Sequence, residues 1–434
     1  MRDDNAIARF RWLPPGLRPP VDPVLGPMRW RQERVFLLVG MAALFAGYDM
    51  NVFGLAVPQI QASFHIPENQ VALTVANFRL AALAALLIAA SADIVGRRRL
   101  LLVTIMGQAI ATLATAATGT YEQFVWAQFF TRVFSYAEEM LCFVVIAEEV
   151  AAGARGWASG TLSAMDYFGA GLAALVFAAV NLLPFGWRAL YVIGAVPLFA
   201  VAYLRRSLPE TRRFAARKQV TALSGRAAQA WALLRDLLRQ HPARLAALLA
   251  AVGGFGFAMG PASVLASKYL QSVHHYTPGQ VTALLIPGGL MGLAMAITAG
   301  RFSDRWGRRP VTAVVIAIAG GGFFLFYSAS GLWLAPLWVL GFFGFFSGQA
   351  LLAGFALEIV PTRYRATVSG LRYLVEILTG ALALALEGYF YDRFGGHGPA
   401  IRILLASIPL SLLAILFLPE PAGKSLEEMA PESI

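Results

Sequence analysis

The sequence predicts an all-α membrane protein: twelve transmembrane helices in two six-helix, pseudo-symmetric halves. Three observations carry that expectation. The chain of 434 residues is 58% hydrophobic and 14% charged, with a mean hydropathy of +0.64, which leaves too little polar surface for a water-soluble fold. It contains twelve apolar runs of roughly the 20 residues a helix needs to cross about 30 Å of hydrocarbon. Finally, three landmarks recur in one register. Asp93-Ile-Val-Gly96-Arg97-Arg98 returns 211 residues later as Asp304-Arg-Trp-Gly307-Arg308-Arg309, and Glu148 before Arg155 returns 210 residues later as Glu358 before Arg365. Pro209-Glu210 returns, again 210 residues on, as Pro419-Glu420. A repeat of this kind marks two homologous halves.

Taken in order, residues 1–34 are basic, interrupted by prolines, and read as an N-terminal cytoplasmic arm. The first apolar run starts too late and runs too long for a signal peptide. Such an arm is either a solvated tail or a contact for anionic lipid. The first half, 35–204, holds spans over Val35–Ile60, Val71–Ala92, Leu100–Thr118, Phe124–Val150, Trp157–Leu183 and Trp187–Leu204. Residues 205–242 are arginine-rich and read as a cytoplasmic linker with an amphipathic stretch from Trp231 to Arg239. The second half, 243–418, holds Leu245–Ser272, Val281–Phe302, Val311–Ala329, Leu332–Val360, Thr367–Tyr391 and Ala400–Leu418; residues 419–434 form a cytoplasmic tail. The runs are rich in Ala and Leu and lack the alternation of a transmembrane barrel.

The net charge of +11 is distributed by loop, which argues against a nucleic-acid partner. Arg97–Arg99, Arg155, Arg205, Arg206, Arg212, Arg213, Arg305, Arg308, Arg309, Arg363 and Arg365 fall in alternate loops. The opposite loops carry little beyond Glu68, Glu122, Arg188, His274, His275, Asp392 and Arg393. Positive-inside reasoning places both termini in the cytoplasm and the chain in the inner, cytoplasmic membrane. Cys142 is the sole cysteine, which excludes an intrachain disulfide or a Cys-rich metal site. No Gly-x4-Gly-Lys-[Ser/Thr] phosphate loop occurs, so ATP hydrolysis is not expected. The expectation is a secondary transporter, not an enzyme, with no cofactor but the coupling proton. Its partners are a small-molecule substrate and the lipid bilayer, and it acts as a monomer.

From about Val35 to Glu428 the residues resemble the major facilitator superfamily. Gly300-Arg-Phe-Ser-Asp304-Arg-Trp-Gly307-Arg308-Arg309 is similar to its signature between helices 8 and 9, and Asp93, Gly96 and Arg97 stand in the counterpart between helices 2 and 3, with Ala89 at the first glycine. Sugar-porter-like elements are Gly47-Tyr48-Asp49, Glu148…Arg155-Gly156, Glu358-Ile-Val-Pro361-Thr-Arg-Tyr-Arg365, Pro209-Glu210-Thr211 and the tail from Pro419 to Glu428. Helix 1 also resembles that of aromatic-acid and metabolite:proton symporters, with Ala46 in place of the first Asp of their motif. The resemblance implies alternating access and a cytoplasmic gate made by Asp93, Gly96, Arg97, Glu148 and Arg155 with Asp304, Gly307, Arg308, Glu358 and Arg365. Gly96 is expected to permit the tight turn that brings Arg97 and Arg98 back toward Asp93.

Ionisable side chains inside the spans are the candidates for chemistry, since each costs roughly 2.5–3.5 kcal/mol at mid-membrane on insertion scales. They are Asp49, Arg79, Arg132, Glu138, Glu139 and Asp166, with Arg372 and Glu376 at i,i+4 spacing able to satisfy each other. Lys268 lies near the outer end of helix 7, where snorkelling to the interface explains it. In proton-coupled sugar porters an Asp on helix 1 pairs with an Arg on helix 4; the resemblance therefore implies coupling by Asp49 and Arg132, against a static ion pair. Successive helical residues point about 100° apart, so one of Glu138 and Glu139 can face a cavity and the other a neighbour. Glu139, two turns from Arg132, is the second proton candidate. Its alternatives are a salt bridge with Arg79 or a counter-charge for a cationic substrate.

Helix 7 reads Gly253-Gly-Phe-Gly-Phe-Ala-Met-Gly-Pro261, without the Gln and Asn that sugar porters use, and helix 10 reads Phe342-Phe343-Gly-Phe345-Phe346-Ser-Gly-Gln349. These aromatics suit an apolar or aromatic substrate body, or face lipid and core. Substrate-binding candidates are Arg79, Arg132, Asp166 and Gln349, with a substrate carboxylate meeting Arg79 or Arg132. The leading reading is proton-coupled symport of a small organic acid. The alternatives are a proton-coupled exporter of amphipathic or cationic compounds, a sugar or polyol porter, and a non-transporting membrane sensor.

Overall fold

The computed structural model describes residues 18–19, 27–150, 155–208, 235–236, 238–240, 242–361 and 364–420. Most of the N-terminal arm, the linker and the tail, with Pro209-Glu210-Thr211, therefore lie outside the described residues. The helices of the first half are α1 (Trp30–Phe64), α2 (Glu68–Ala90), α3 (Ala92–Val95), α4 (Arg97–Ala116), α5 (Tyr121–Glu149), α6 (Arg155–Ala178) and α7 (Trp187–Arg205). Then come α8 (Pro242–Val264), α9 (Ala266–Ser272), α10 (Pro278–Trp306), α11 (Arg308–Phe326), α12 (Leu334–Glu358), α13 (Arg365–Phe394), α14 (His397–Leu404) and α15 (Ile408–Leu416).

Each of the twelve expected spans falls on helix. Ten of the described helical segments are long and apolar enough to cross a membrane, and α5 and α10 have the length, 29 residues each. The chain is a multi-pass membrane protein. The seventh span is interrupted at Leu265, and the last is broken by a 3-10 turn at Leu405–Ser407. α1 starts at Trp30, inside the segment read as an arm; Gln32 and Arg31 tie that start to Glu149 on α5.

Contacts divide the chain into two compact units: Met1–Ala56 with Ala81–Leu223, and Val57–Leu80 with Ser224–Ile434. The ends of α1 and α2 nearest their connecting turn thus belong to the second unit. In the first unit α4 packs on α5 and α7, around Ala42, Ile105, Ala109, Leu198 and Val201. α1 and α6 approach so closely that a Cβ at Gly47 would strike Asp166 and one at Gly169 would strike the Leu44 carbonyl, the small-residue contact that membrane helices favour.

In the second unit α11 packs on α12 and α8 on α13. Gly256 and Gly260 of α8 lie against Glu376 and Gly380 of α13. In α12, Phe342 meets Phe323 of α11 and its own neighbour Trp338 with ring centroids 5.1 and 4.3 Å apart, and Phe345 stacks on Phe255 at 6.3 Å. Phe343 is buried, and Phe342, Phe345 and Phe346 are half-buried.

Candidate functional site

The duplicated motifs form the same structure twice. Gly96, between α3 and α4, has φ 100° and ψ 142°; Gly307, between α10 and α11, has φ 102° and ψ 144°. Only glycine adopts that backbone without strain. In the first unit Arg97 donates to Glu148 at 2.9 Å and to the Ala92 carbonyl at 3.1 Å; in the second, Arg308 donates to Glu358 at 2.9 Å and to the Ser303 hydroxyl. The turn directs Arg97 to α5, and Arg98 turns to the Arg206 carbonyl at 2.7 Å. Glu420, from the second Pro-Glu landmark, accepts from the amides of Arg308 at 2.7 Å and Arg309 at 2.9 Å, which satisfies the exposed N–H groups at the start of α11. Arg365 begins α13. The side chains of Asp93, Arg155 and Asp304 lie outside the described residues.

The first unit holds Asp49, Glu138, Glu139 and Asp166. Asp49 on α1 is 1% exposed. Its Oδ2 accepts from Gln108 Nε2 at a long 3.4 Å, and Oδ1 has no hydrogen-bond partner among the described residues. Thr112 and Arg132 are within interaction range, yet Arg132 donates to the Met50 carbonyl at 3.1 Å and contacts the Met50 sulfur. Asp49 and Arg132 are thus neighbours without a direct ion pair. On α5 the two glutamates diverge. Glu138 is buried and pairs with Arg205 of α7, accepting also from Thr104 and the Cys142 thiol. Glu139 is solvent-accessible and lies within electrostatic reach of Asp166 on α6.

The second unit brings together Arg79, Gln349, Arg372 and Glu376. Glu376 accepts from Gln349 at 2.7 Å and pairs with Arg372 at 2.7 Å, as the i,i+4 spacing suggested. The Arg79 guanidinium lies on the bare backbone of Gly380, one helical turn along α13 from Glu376; any Cβ at Gly380 would collide with it. Arg372 and Gln349 thus hold the Glu376 carboxylate, and the Arg79 guanidinium one turn away is a cation able to make charge-assisted hydrogen bonds to a carboxylate.

Duplicated turns, buried charges and twelve helical spans agree with a comparison by sequence: the profile of the Major Facilitator Superfamily matches residues 39–384. The chain belongs to the Major Facilitator Superfamily. Membership makes it a membrane transporter and not an enzyme. Among relatives of this superfamily, the "cis,cis-muconate transport protein" of Acinetobacter baylyi is 26% identical over 84% of this chain and 88% of its own length. The "gallate transporter" of Pseudomonas putida is 27% identical over 93% of this chain and 94% of its own. Among solved structures, a D-xylose-proton symporter superposes with a TM-score of 0.74 at 18% identity, covering 91% of this chain and 99% of that one; at that identity the likeness concerns the superfamily fold.

Two expectations need correction. Lys268 does not snorkel: its side chain is 0% exposed and pairs with Glu68 at 2.7 Å, because α9 turns it into the second unit, where a carboxylate awaits it. Arg205, counted among the loop arginines, is fully buried against Glu138, since α7 continues one residue beyond the apolar run and keeps it on the inner face. Sequence reasoning also missed Glu387 and His397. The signal for Glu387 was available, an acid inside the apolar run Thr367–Tyr391.

Proposed function

We propose that this transporter is a proton-coupled symporter that brings a small organic acid with an apolar or aromatic body into the cell by alternating access. Asp49 carries the reading. A carboxylate 1% exposed, with one oxygen unpartnered and an arginine nearby but bonded elsewhere, is costly to keep charged. Its proton affinity rises as the arginine withdraws and falls as it approaches. Glu139 beside Asp166 is the second proton carrier, while Glu138 is held by Arg205 and serves the packing of α5 on α7.

The substrate carboxylate meets Arg79, with Gln349 in the same unit, or Arg132, with Asp166 in the same unit. Two relatives named for carriage of muconate and gallate, both carboxylates, support this class. On the cytoplasmic side the pairs Arg97–Glu148 and Arg308–Glu358 hold the gate, with Asp93, Gly96 and Arg155 and with Asp304, Gly307 and Arg365 in the same motifs. Both termini are cytoplasmic, and the monomer in the cell membrane is the working unit. A second reading, export of a cationic compound by proton antiport, draws on Glu139 and Asp166 as a pair of acids in accessible space. Counterflow in liposomes separates the two: preloaded aromatic or dicarboxylic acid accelerates labelled acid entry on the first reading. Acceleration only by a lipophilic cation establishes the second, and acceleration only by a pentose overturns both.

A further inference from the structure

At the end of the second unit opposite Gly307, four ionisable side chains from four helices form a cluster that the site above does not use. Glu68 opens α2, Lys268 lies on α9, Glu387 lies near the end of α13, and His397 opens α14. Lys268 Nζ is 2.7 Å from Glu68 Oε2 and also donates to Gln61 Oε1. The His397 ring is clamped between carboxylates: Nδ1 lies 2.6 Å from Glu387 Oε1, and Nε2 lies 3.1 Å from Glu68 Oε2. The side chains of Lys268 and Glu387 are 0% exposed and that of His397 4%, while that of Glu68 is 40% exposed and forms the open side of the cluster.

A neutral imidazole has one N–H and one lone pair. With carboxylate oxygens at hydrogen-bond distance from both nitrogens, the lone pair of a neutral ring would face a carboxylate, so one proton beyond the neutral ring has to be present, on the ring or on an acid. The count then closes. Two carboxylates, one ammonium and that proton sum to zero charge; without it the cluster carries a net negative charge beside the buried Glu387 carboxylate, which is costly.

We propose that Glu68, Lys268, His397 and Glu387 form a second proton-binding site, in which one shared proton latches the turn between α1 and α2 onto α9, α13 and α14. The latched segment is 57–80, the stretch of α1 and α2 that belongs to this unit. Contacts outside the cluster seat the same segment: Gln59 bonds Gln271 at 2.8 Å, Asn69 donates to the Asp392 carboxylate at 2.8 Å, and the Asn69 carbonyl lies against the bare backbone of Gly388. These do not need the shared proton, and the proton decides the balance. Other titratable groups surround the cluster. Tyr391 packs on His397 with ring centroids 4.5 Å apart, and Asp392 is beside it. Tyr327 faces Glu387, Tyr269 lies between Tyr327 and Arg402, and His274 packs on Tyr269. Of these, His397 alone touches two acids.

On the proposed topology this end faces outside, so external acid docks the turn and external alkali releases it. That direction suits a symporter, which closes its outer side after taking up a proton. The inference rests on the topology and not on the substrate class or on Asp49.

Double electron–electron resonance on the full-length protein tests it, with spin labels on cysteines at the exposed positions Gln70 and Arg393 in a Cys142→Ser background. The ratio of separated to docked distances should rise with pH between about 5 and 8, with a limiting slope of one proton, about tenfold per pH unit. Glu387→Gln should abolish that slope, because the charge count then closes without the proton, while the docked distance persists through the contacts outside the cluster. A pH-independent ratio in the parent overturns the proposal. So does a slope kept in Glu387→Gln, because another group would then be the sensor.

Discussion

Replacing Arg205 with methionine should separate a packing role for Glu138 from a transport role. The two side chains are 0% and 1% exposed, and Arg205 also donates to the Leu38 carbonyl at 3.2 and 3.3 Å and contacts Leu101 and Cys142. Methionine keeps the volume of the stem but leaves Glu138 without its counter-charge. Breaking a buried pair from one side costs about 3–5 kcal/mol. At about 2–4 °C per kcal/mol for a unit of this size, the melting temperature in detergent should fall by roughly 6–20 °C. Removing both partners, Glu138→Leu with Arg205→Met, should recover most of that loss, because no unpaired buried charge remains. The assay is thermal unfolding of wild type, both single variants and the double variant as one cycle. Single and double variants that lose the same stability, or a single variant that loses none, would refute the assignment of a static, fully desolvated pair.

Three further outcomes follow from the geometry. Arg79→Ala should weaken carboxylate binding at least tenfold in equilibrium binding, since truncating one partner of a desolvated charge pair costs several kcal/mol; unchanged affinity moves the carboxylate to Arg132. Gly96→Ala and Gly307→Ala should each destabilise by about 1–3 kcal/mol from the positive φ they share, with a larger loss at Gly307, where the new Cβ would meet the Glu420 carboxylate at 2.9 Å; no loss in thermal unfolding from either would refute the reading of these turns as glycine-only. Glu358→Gln should increase labelling of an engineered inner-cavity cysteine and decrease labelling of an outer one, in a Cys142→Ser background; unchanged labelling on both sides would leave the Arg308–Glu358 pair as a structural staple.

The sequence made some of this legible for physical reasons that particular residues illustrate. Gly96 and Gly307 were readable because a turn with positive φ demands glycine and its arginine neighbours are local in the chain. Arg372 and Glu376 were readable because four residues on a helix set their distance. Glu138 and Glu139 were expected to diverge, and they do, because adjacent helical positions point to different sides. Their partners were not readable: Arg205 is 67 residues from Glu138, and the meeting of α5 with α7 is a matter of tertiary packing. The cluster on His397 spans up to 329 residues, and no local pattern announces it. Lys268 was misread because its partner, Glu68, is distant in the chain, and no local pattern announces the pair. Asp49 and Arg132 were expected as a pair, and the chain places them as neighbours whose bonds go elsewhere, an arrangement that only side-chain geometry reveals.

The central claim, that Asp49 couples protons to organic-acid uptake, is tested most directly by gradient-driven accumulation in liposomes. The protein is reconstituted, an inward proton gradient is imposed, and entry of a labelled aromatic carboxylate such as benzoate is followed together with external alkalinisation. Wild type should accumulate the acid above equilibrium and alkalinise the medium in step with it. Asp49→Asn should abolish accumulation while retaining exchange of acid for acid, since exchange does not require the proton to leave. Accumulation by Asp49→Asn equal to wild type would contradict the account.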